Sequence, residues 1–133
     1  MTQRTPARLK FGRRGSVALE YGLIAPLLLV LMLGIIDTGR LIWIYTTLYR
    51  ATEAAARCGA INTTVCATAP QIQTYAVAEA WGMTVGPSVF TVTTPSCGLQ
   101  VRATYNFTSI VPGFDLVAPM GLITLQATAC YPL

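Results

Sequence analysis

Arg13-Arg14-Gly15-Ser16-Val17-Ala18-Leu19-Glu20-Tyr21-Gly22 opens the stretch that decides the fold, and the apolar run Leu23 to Ile36 follows it directly. Basic residues come first, then a small Gly-Ser junction, then one carboxylate at the mouth of an uncharged segment. From Tyr21 to Ile36 there are 16 residues without a charge. Asp37 and Arg40 interrupt the run, and Leu41-Ile42-Trp43-Ile44-Tyr45 resumes it. A membrane-spanning helix needs about 20 mostly apolar residues. Tyr21 to Ile42 supplies them, with Asp37 and Arg40 near the far end, so this reading anchors the chain in a membrane.

Charge is distributed to match. Of 133 residues, 53% are hydrophobic and 11% charged, well below the roughly 25% charged residues of an average soluble domain. The formal charge of +4 comes from the start of the chain, where Arg4, Arg8, Lys10, Arg13 and Arg14 precede Gly15 without an acid among them. Beyond Gly15 the balance is −1. The positive-inside rule accounts for this asymmetry, with residues 1–14 cytoplasmic and everything after the helix exported. Nucleic acid is not an expected partner, because no basic patch interleaved with aromatics follows the leader.

Two other export signals fit less well. Arg13-Arg14 is followed by glycine, which argues against a twin-arginine signal. A cleaved secretory signal peptide needs a small-residue site just beyond its apolar core. Ala54-Ala55-Ala56 is the nearest candidate, but it lies past four charges, and Glu20 stands at the front of the core.

Leu- and Ala-rich sequence from Ser16 to Arg57 predicts one long helix, with a kink at Pro26. Its 42 residues would reach about 63 Å, twice the hydrocarbon thickness, so the helix continues into water. Trp43, Tyr45 and Tyr49 follow the apolar run, as at a membrane interface. Glu53 and Arg57 are placed for an i,i+4 ion pair. Ala51, Ala55 and Gly59 make one smooth face, and Ala18, Gly22 and Ala25 another of the kind that lets helices associate. Cys58 and Gly59 are read as the helix end.

Past Asn62-Thr63-Thr64, Pro70 opens a short second helix through about Trp81, with Ile72, Tyr75, Ala76 and Ala80 on its buried face. After Gly86-Pro87 the period changes to two. Val89 to Thr94 reads as a strand, as does the alternation Leu99, Val101, Ala103, Tyr105, Phe107. Val111 to Gly121 is a connection rich in proline and glycine, and Ile123, Leu125, Ala127 and Ala129 form a last strand. The expected architecture is α+β and pilin-like: a long N-terminal transmembrane helix, a short second helix and a small antiparallel sheet of about three strands. It divides into a leader at 1–15, the long helix at 16–57 and an exported, disulfide-stapled domain at 58–133.

Cys58, Cys66, Cys97 and Cys130 all lie on the exported side, which favours two disulfides. With no histidine and no Cys-x-x-Cys pair, zinc is a poor alternative. Cys66 is close enough in sequence to return to Cys58. Cys97, before the middle strand, reaches Cys130 if those strands are antiparallel neighbours. Enzymatic chemistry is poorly supported: without histidine there is no Ser-His or Cys-His nucleophile, and the exported acids are isolated along the chain. No cofactor is implied.

The Gly15-x4-Glu20-Tyr21 string resembles the processing site of the Flp/Tad branch of type IV pilins. Its continuation through Pro26, Gly34-Ile35-Ile36-Asp37-Thr38-Gly39-Arg40 and Ala54-Ala55-Ala56-Arg57-Cys58-Gly59-Ala60 resembles the TadE-like pilus proteins, over about residues 12 to 60. The resemblance implies that prepilin peptidase cuts between Gly15 and Ser16 on the cytoplasmic face. It also implies that Glu20 meets the N-terminal amine of a neighbouring subunit, with Tyr21 beside it in the assembly. The long tail points to a minor pilin or pseudopilin, since the major subunits are much shorter. Implied partners are other pilin subunits and minor pilins, the inner-membrane assembly platform and membrane lipid. The competing reading is a membrane-tethered binding or adhesin module with an uncleaved anchor, with Tyr105, Phe107, Phe114 and the Val111-to-Gly121 loop as its contact candidates, although buried core and a plain loop are the readings favoured for these residues.

Overall fold

The computed structural model describes residues 13–111 and 122–133, the side chains of residues 13–16 and 122 excepted. The basic leader through Gly12 and the connection 112–121, with Phe114 and Asp115, lie outside the described residues. Elements follow in the order α1 (Arg13–Ile61), α2 (Ala69–Glu79), a 3₁₀ turn (Pro87–Val89), β1 (Phe90–Thr93), β2 (Leu99–Thr108) and β3 (Leu122–Tyr131). This is the pilin-like α+β arrangement expected from the sequence: a long apolar helix, a short second helix and a three-stranded antiparallel sheet packed on the long helix.

Helix α1 has 49 residues, about 74 Å at the α-helical rise, and it is unbroken at Pro26. It also runs past Cys58 and Gly59 to Ile61, so those two residues do not end it. Gly59 has a packing role instead. A Cβ there would lie 2.7 Å from Ile72 Cδ1 and closer still to Leu99 Cδ2. The glycine thus lets α2 and the sheet approach the helix. Ala51 and Ala55, on the same face, are fully buried, together with Leu48 and Thr52. The smooth Ala51-Ala55-Gly59 face is therefore covered by the protein's own α2 and sheet. Thr52 keeps its buried hydroxyl satisfied by donating to the Tyr49 carbonyl at 2.8 Å.

Helix α2 starts with Pro70 in its first turn, where the missing amide costs nothing. Thr68 caps it, and the Gln71 side chain accepts from the Thr68 amide at 3.1 Å. Ile72, Ala76 and Ala80 are buried and Tyr75 is half-buried. Gln73 ties the helix to the sheet by donating from Nε2 to the Phe90 carbonyl at 2.7 Å. The helix stops at Glu79, earlier than Trp81, because the chain turns through Gly82 at a φ of +73°.

In the sheet β2 is central, with β1 and β3 antiparallel on either side. The register aligns Val92, Val101 and Ala129 in one row and Phe90, Ala103 and Ala127 in the next. Those residues face α1, while Arg102, Thr104, Asn106 and Thr108 alternate with them on the exposed face. Two disulfides, Cys58–Cys66 and Cys97–Cys130, staple this small core, both at the end where Gly59 of α1 meets Leu99 of β2. In the sheet, Gln100 pairs with Cys130, which brings the turn before β2 beside the end of β3.

Candidate functional site

The functional features of the chain sit along α1, which has two unlike halves. From Val17 to Ile36 no residue is buried. Leu19, Leu23, Leu27, Leu31 and Ile35 each expose more than 60% of their surface. The most apolar window has a mean hydropathy of 2.3, and none of it is buried. α1 is therefore long and apolar enough to cross a membrane, and its first half is no part of the core. Apolar surface on this scale needs a cover other than water.

Gly15 and Ser16 fall in the first turns of α1. Glu20 follows on the bare half, exposed, and among the described residues nothing bonds to its carboxylate. Tyr21 beside it is 71% exposed. An added Cβ at Gly22 would meet nothing within 4 Å, so the Ala18-Gly22-Ala25 face is also open. Gly15, Ser16, Glu20 and Tyr21 thus share the first turns of α1, where the residues from Val17 on are exposed. The cysteines lie far from these turns, in the head.

The head begins at Asp37, the first buried residue of α1, with 6% of its surface exposed. Its carboxylate accepts three bonds: from Arg40 Nη1 at 2.7 Å, from Ser109 Oγ at 2.5 Å and from the Ile110 amide at 3.3 Å. Ser109 Oγ in turn accepts from the Val111 amide at 3.1 Å. The Arg40 guanidinium lies 5.3 Å from the centre of the Phe107 ring, within reach of a cation–π attraction. This cluster clasps the end of β2 to the helix where its bare half stops. The ion pair was not obvious from the sequence, but Asp37 and Arg40, three residues apart in an apolar run, are a sign of it. Ser109 carries no such sign. Glu53 and Arg57, by contrast, remain exposed and do not form the ion pair expected from their spacing; Asp37–Arg40 is the ion pair found among the described residues.

The same geometry removes one contact candidate of the adhesin reading. Phe107 is 2% exposed and belongs to the core, packed inward by the period of β2. Burying such a ring contributes about 1.5–3 kcal/mol. Tyr105 is half-buried against the same core.

The bare half, the helix side of the clasp and the start of the buried face all fall within one stretch. Residues 15–57 match the family model described as TadE-like protein. No curated protein and no solved structure matches the chain. The TadE-like segment starts at Gly15 and takes in Glu20, Tyr21, Asp37 and Arg40. It stops short of Cys58, and the sheet that completes the clasp lies outside it.

Proposed function

We propose that this protein is a minor pilin or pseudopilin of a Flp/Tad-type adhesive pilus, serving to initiate, cap or assemble the fibre. Prepilin peptidase removes residues 1–15. The long helix from Ser16 on crosses the inner membrane in its first half, and residues 58–133 complete the stapled domain on the periplasmic side. The observation that carries this reading is the isolation of Glu20: a carboxylate on a bare apolar helix, with no partner in its own chain among the described residues. A charge entering hydrocarbon costs about 2.5–3.5 kcal/mol, and such groups find partners. The Ser16 amine of a neighbouring subunit, freed by cleavage, supplies one of opposite charge. The TadE-like match beginning at Gly15 supports the same reading. Other pilins, minor pilins and the inner-membrane assembly platform are its partners, and its role is structural rather than enzymatic.

The test is the intact mass of the membrane-extracted protein. A chain beginning at Ser16 is expected, and Gly15→Leu should retain the leader, because bulk at the scissile position blocks the peptidase. An unprocessed wild-type chain, or a normally processed Gly15→Leu chain, would favour the uncleaved anchor of a binding module.

A further inference from the structure

α2 runs back along α1, so that Trp81 and Gly82 arrive beside Trp43. A Cβ on Gly82 would lie 3.9 Å from Trp43 Nε1. Between the two tryptophans is an open cavity of about 710 Å³, lined by Trp43, Thr46, Thr47, Arg50, Glu79 and Trp81. Its size is that of a small-molecule site, about 300–1,000 Å³. Both indoles are exposed, Trp43 by 62% and Trp81 by 75%. The threonine hydroxyls are already engaged, donating to the carbonyls of Ile42 and Trp43. Arg50 and Glu79 are not: among the described residues neither side chain has a hydrogen bond or an ion pair. The cavity therefore offers one free cation and one free anion, between two aromatic walls.

Position along the helix identifies the occupant. Trp43 directly follows the apolar stretch ending at Ile42, at the depth where indoles mark a membrane interface. The head-group layer is about 5–7 Å thick on each side. Arg50 starts seven residues beyond Trp43, about 10 Å along the axis, but helical side chains lean toward the N-terminus and bring its guanidinium back toward the bilayer. Below Trp43 on the same face lie Gly39, Ile36 and Met32, all exposed. A molecule held in the cavity can thus continue as an acyl chain along the bare helix.

We propose that this cavity holds the head group of a zwitterionic phospholipid bearing a primary ammonium, its phosphate on Arg50 and its ammonium on Glu79 between the indoles. Arginine suits the phosphate through its paired donors. The ammonium is matched twice, by the carboxylate and by the aromatic faces. The bound lipid fixes the depth and rotation of the head relative to the membrane. The proposal rests on the membrane-spanning reading of α1 given above.

The test uses the full chain and has two arms. In vesicles of phospholipids brominated on the acyl chains, the Trp81→Phe variant leaves Trp43 as the sole tryptophan, and its emission should be quenched. No quenching would overturn both the membrane span and the lipid site. In detergent micelles, native mass spectrometry compares retention of phosphatidylethanolamine, phosphatidylcholine and phosphatidylglycerol at equal concentration. Phosphatidylethanolamine should be retained about tenfold better than the other two, the scale of one charge-assisted hydrogen bond. Glu79→Gln should bring it down to the level of phosphatidylcholine, whose quaternary ammonium donates no hydrogen bond. Arg50→Gln should weaken all three. Equal retention of the three lipids, or no effect of Glu79→Gln, with Trp43 still quenched, would overturn the head-group site and leave the span intact. Full displacement by free phosphoethanolamine would overturn the lipid as its source.

Discussion

Ser109 Oγ donates to Asp37 Oδ2 across 72 residues of sequence, joining the residue just after β2 to the helix at the point where the bare half of α1 ends. The Ile110 amide donates to the same oxygen, and Arg40 takes the other. Asp37 is thus neutralised by its own helix and held by the sheet. The arrangement solves a solvation problem. A carboxylate so near an apolar span is costly unless its charge and its lone pairs are both satisfied. The head cannot swivel about the helix at this level without breaking two bonds, those from Ser109 and Ile110.

That cluster gives the first prediction. Asp37→Asn removes the charge at nearly constant volume and should weaken the junction by about 1.5–3 kcal/mol, the range for hydrogen bonds to a charged group. Ser109→Ala should cost less, about 1 kcal/mol, because one neutral donor is lost while Arg40 and the Ile110 amide remain. Hydrogen exchange of the chain in micelles reads the effect directly. Amides from Thr108 to Val111, at and just beyond the end of β2, should exchange faster, while those near Cys97 stay protected. Uniform loss of protection, or none, would show that the cluster does not clasp the head to the helix.

Much of this fold is legible in the residues, and the reasons are local. The alternation from Leu99 to Phe107 specifies a half-buried strand because side chains in a strand alternate faces. The Leu48-Ala51-Ala55 spacing specifies a helix face. Boundaries are less legible: α1 overruns Gly59 because that glycine serves close packing, a use that sequence does not distinguish from a helix stop. Long-range partners are the least legible. Nothing local marks Ser109 as the donor to Asp37, and nothing relates Trp43 to Trp81, since each meeting depends on the whole path of α2 and the sheet.

Two glycines with crowded surroundings should respond differently to substitution. Gly98 has a φ of +120° and the backbone of Tyr131 and Pro132 beside it, with a Cβ only 2.7 Å from Pro132 Cα. Gly59 has an ordinary helical backbone, and the atoms in its way are the ends of the Leu99 and Ile72 side chains. Backbone cannot step aside as a side-chain terminus can. Gly98→Ala should therefore destabilise by about 2–3 kcal/mol or more, combining strain and overpacking. Gly59→Ala should cost about 1–2 kcal/mol, as Leu99 and Ile72 adjust. Urea titrations of the two variants in the same detergent check the order. A larger loss at Gly59 would mean that the helix–sheet contact is the more rigid one.

The disulfides should also differ. Cys58–Cys66 closes a separation of 8 residues and Cys97–Cys130 one of 33. In the chain-entropy account the longer loop constrains the unfolded state more, by about 1 kcal/mol for these lengths. Replacing Cys97 and Cys130 together by serine should cost about 2–5 kcal/mol, and the Cys58/Cys66 pair less. Thermal unfolding of the two double variants, each with its remaining bridge confirmed by peptide mapping, makes the comparison. A greater loss from the short bridge would place the main constraint at the end of α1.

Glu20 separates assembly from anchoring. Its carboxylate is exposed on the bare half of α1, and Asp37 shows what the same chain does with an acid it satisfies internally: it supplies an arginine, a hydroxyl and an amide. Glu20 receives none of these among the described residues. In the pilin reading its partner is the Ser16 amine of the next subunit, met in a low-dielectric setting where an unpaired charge is expensive. Glu20→Gln keeps the size and removes the charge. Insertion should be unaffected or slightly better, since a charge has left the apolar segment. Cleavage after Gly15 should persist, because the scissile residues are unchanged. Assembly should fail, with the processed variant accumulating in the membrane and pili lost or scarce by electron microscopy. For a simple anchor the same change should do almost nothing, because a carboxylate that reaches out to water has no partner to lose. Normal pilus number, with the variant processed and present at the wild-type level, would remove the role assigned to Glu20.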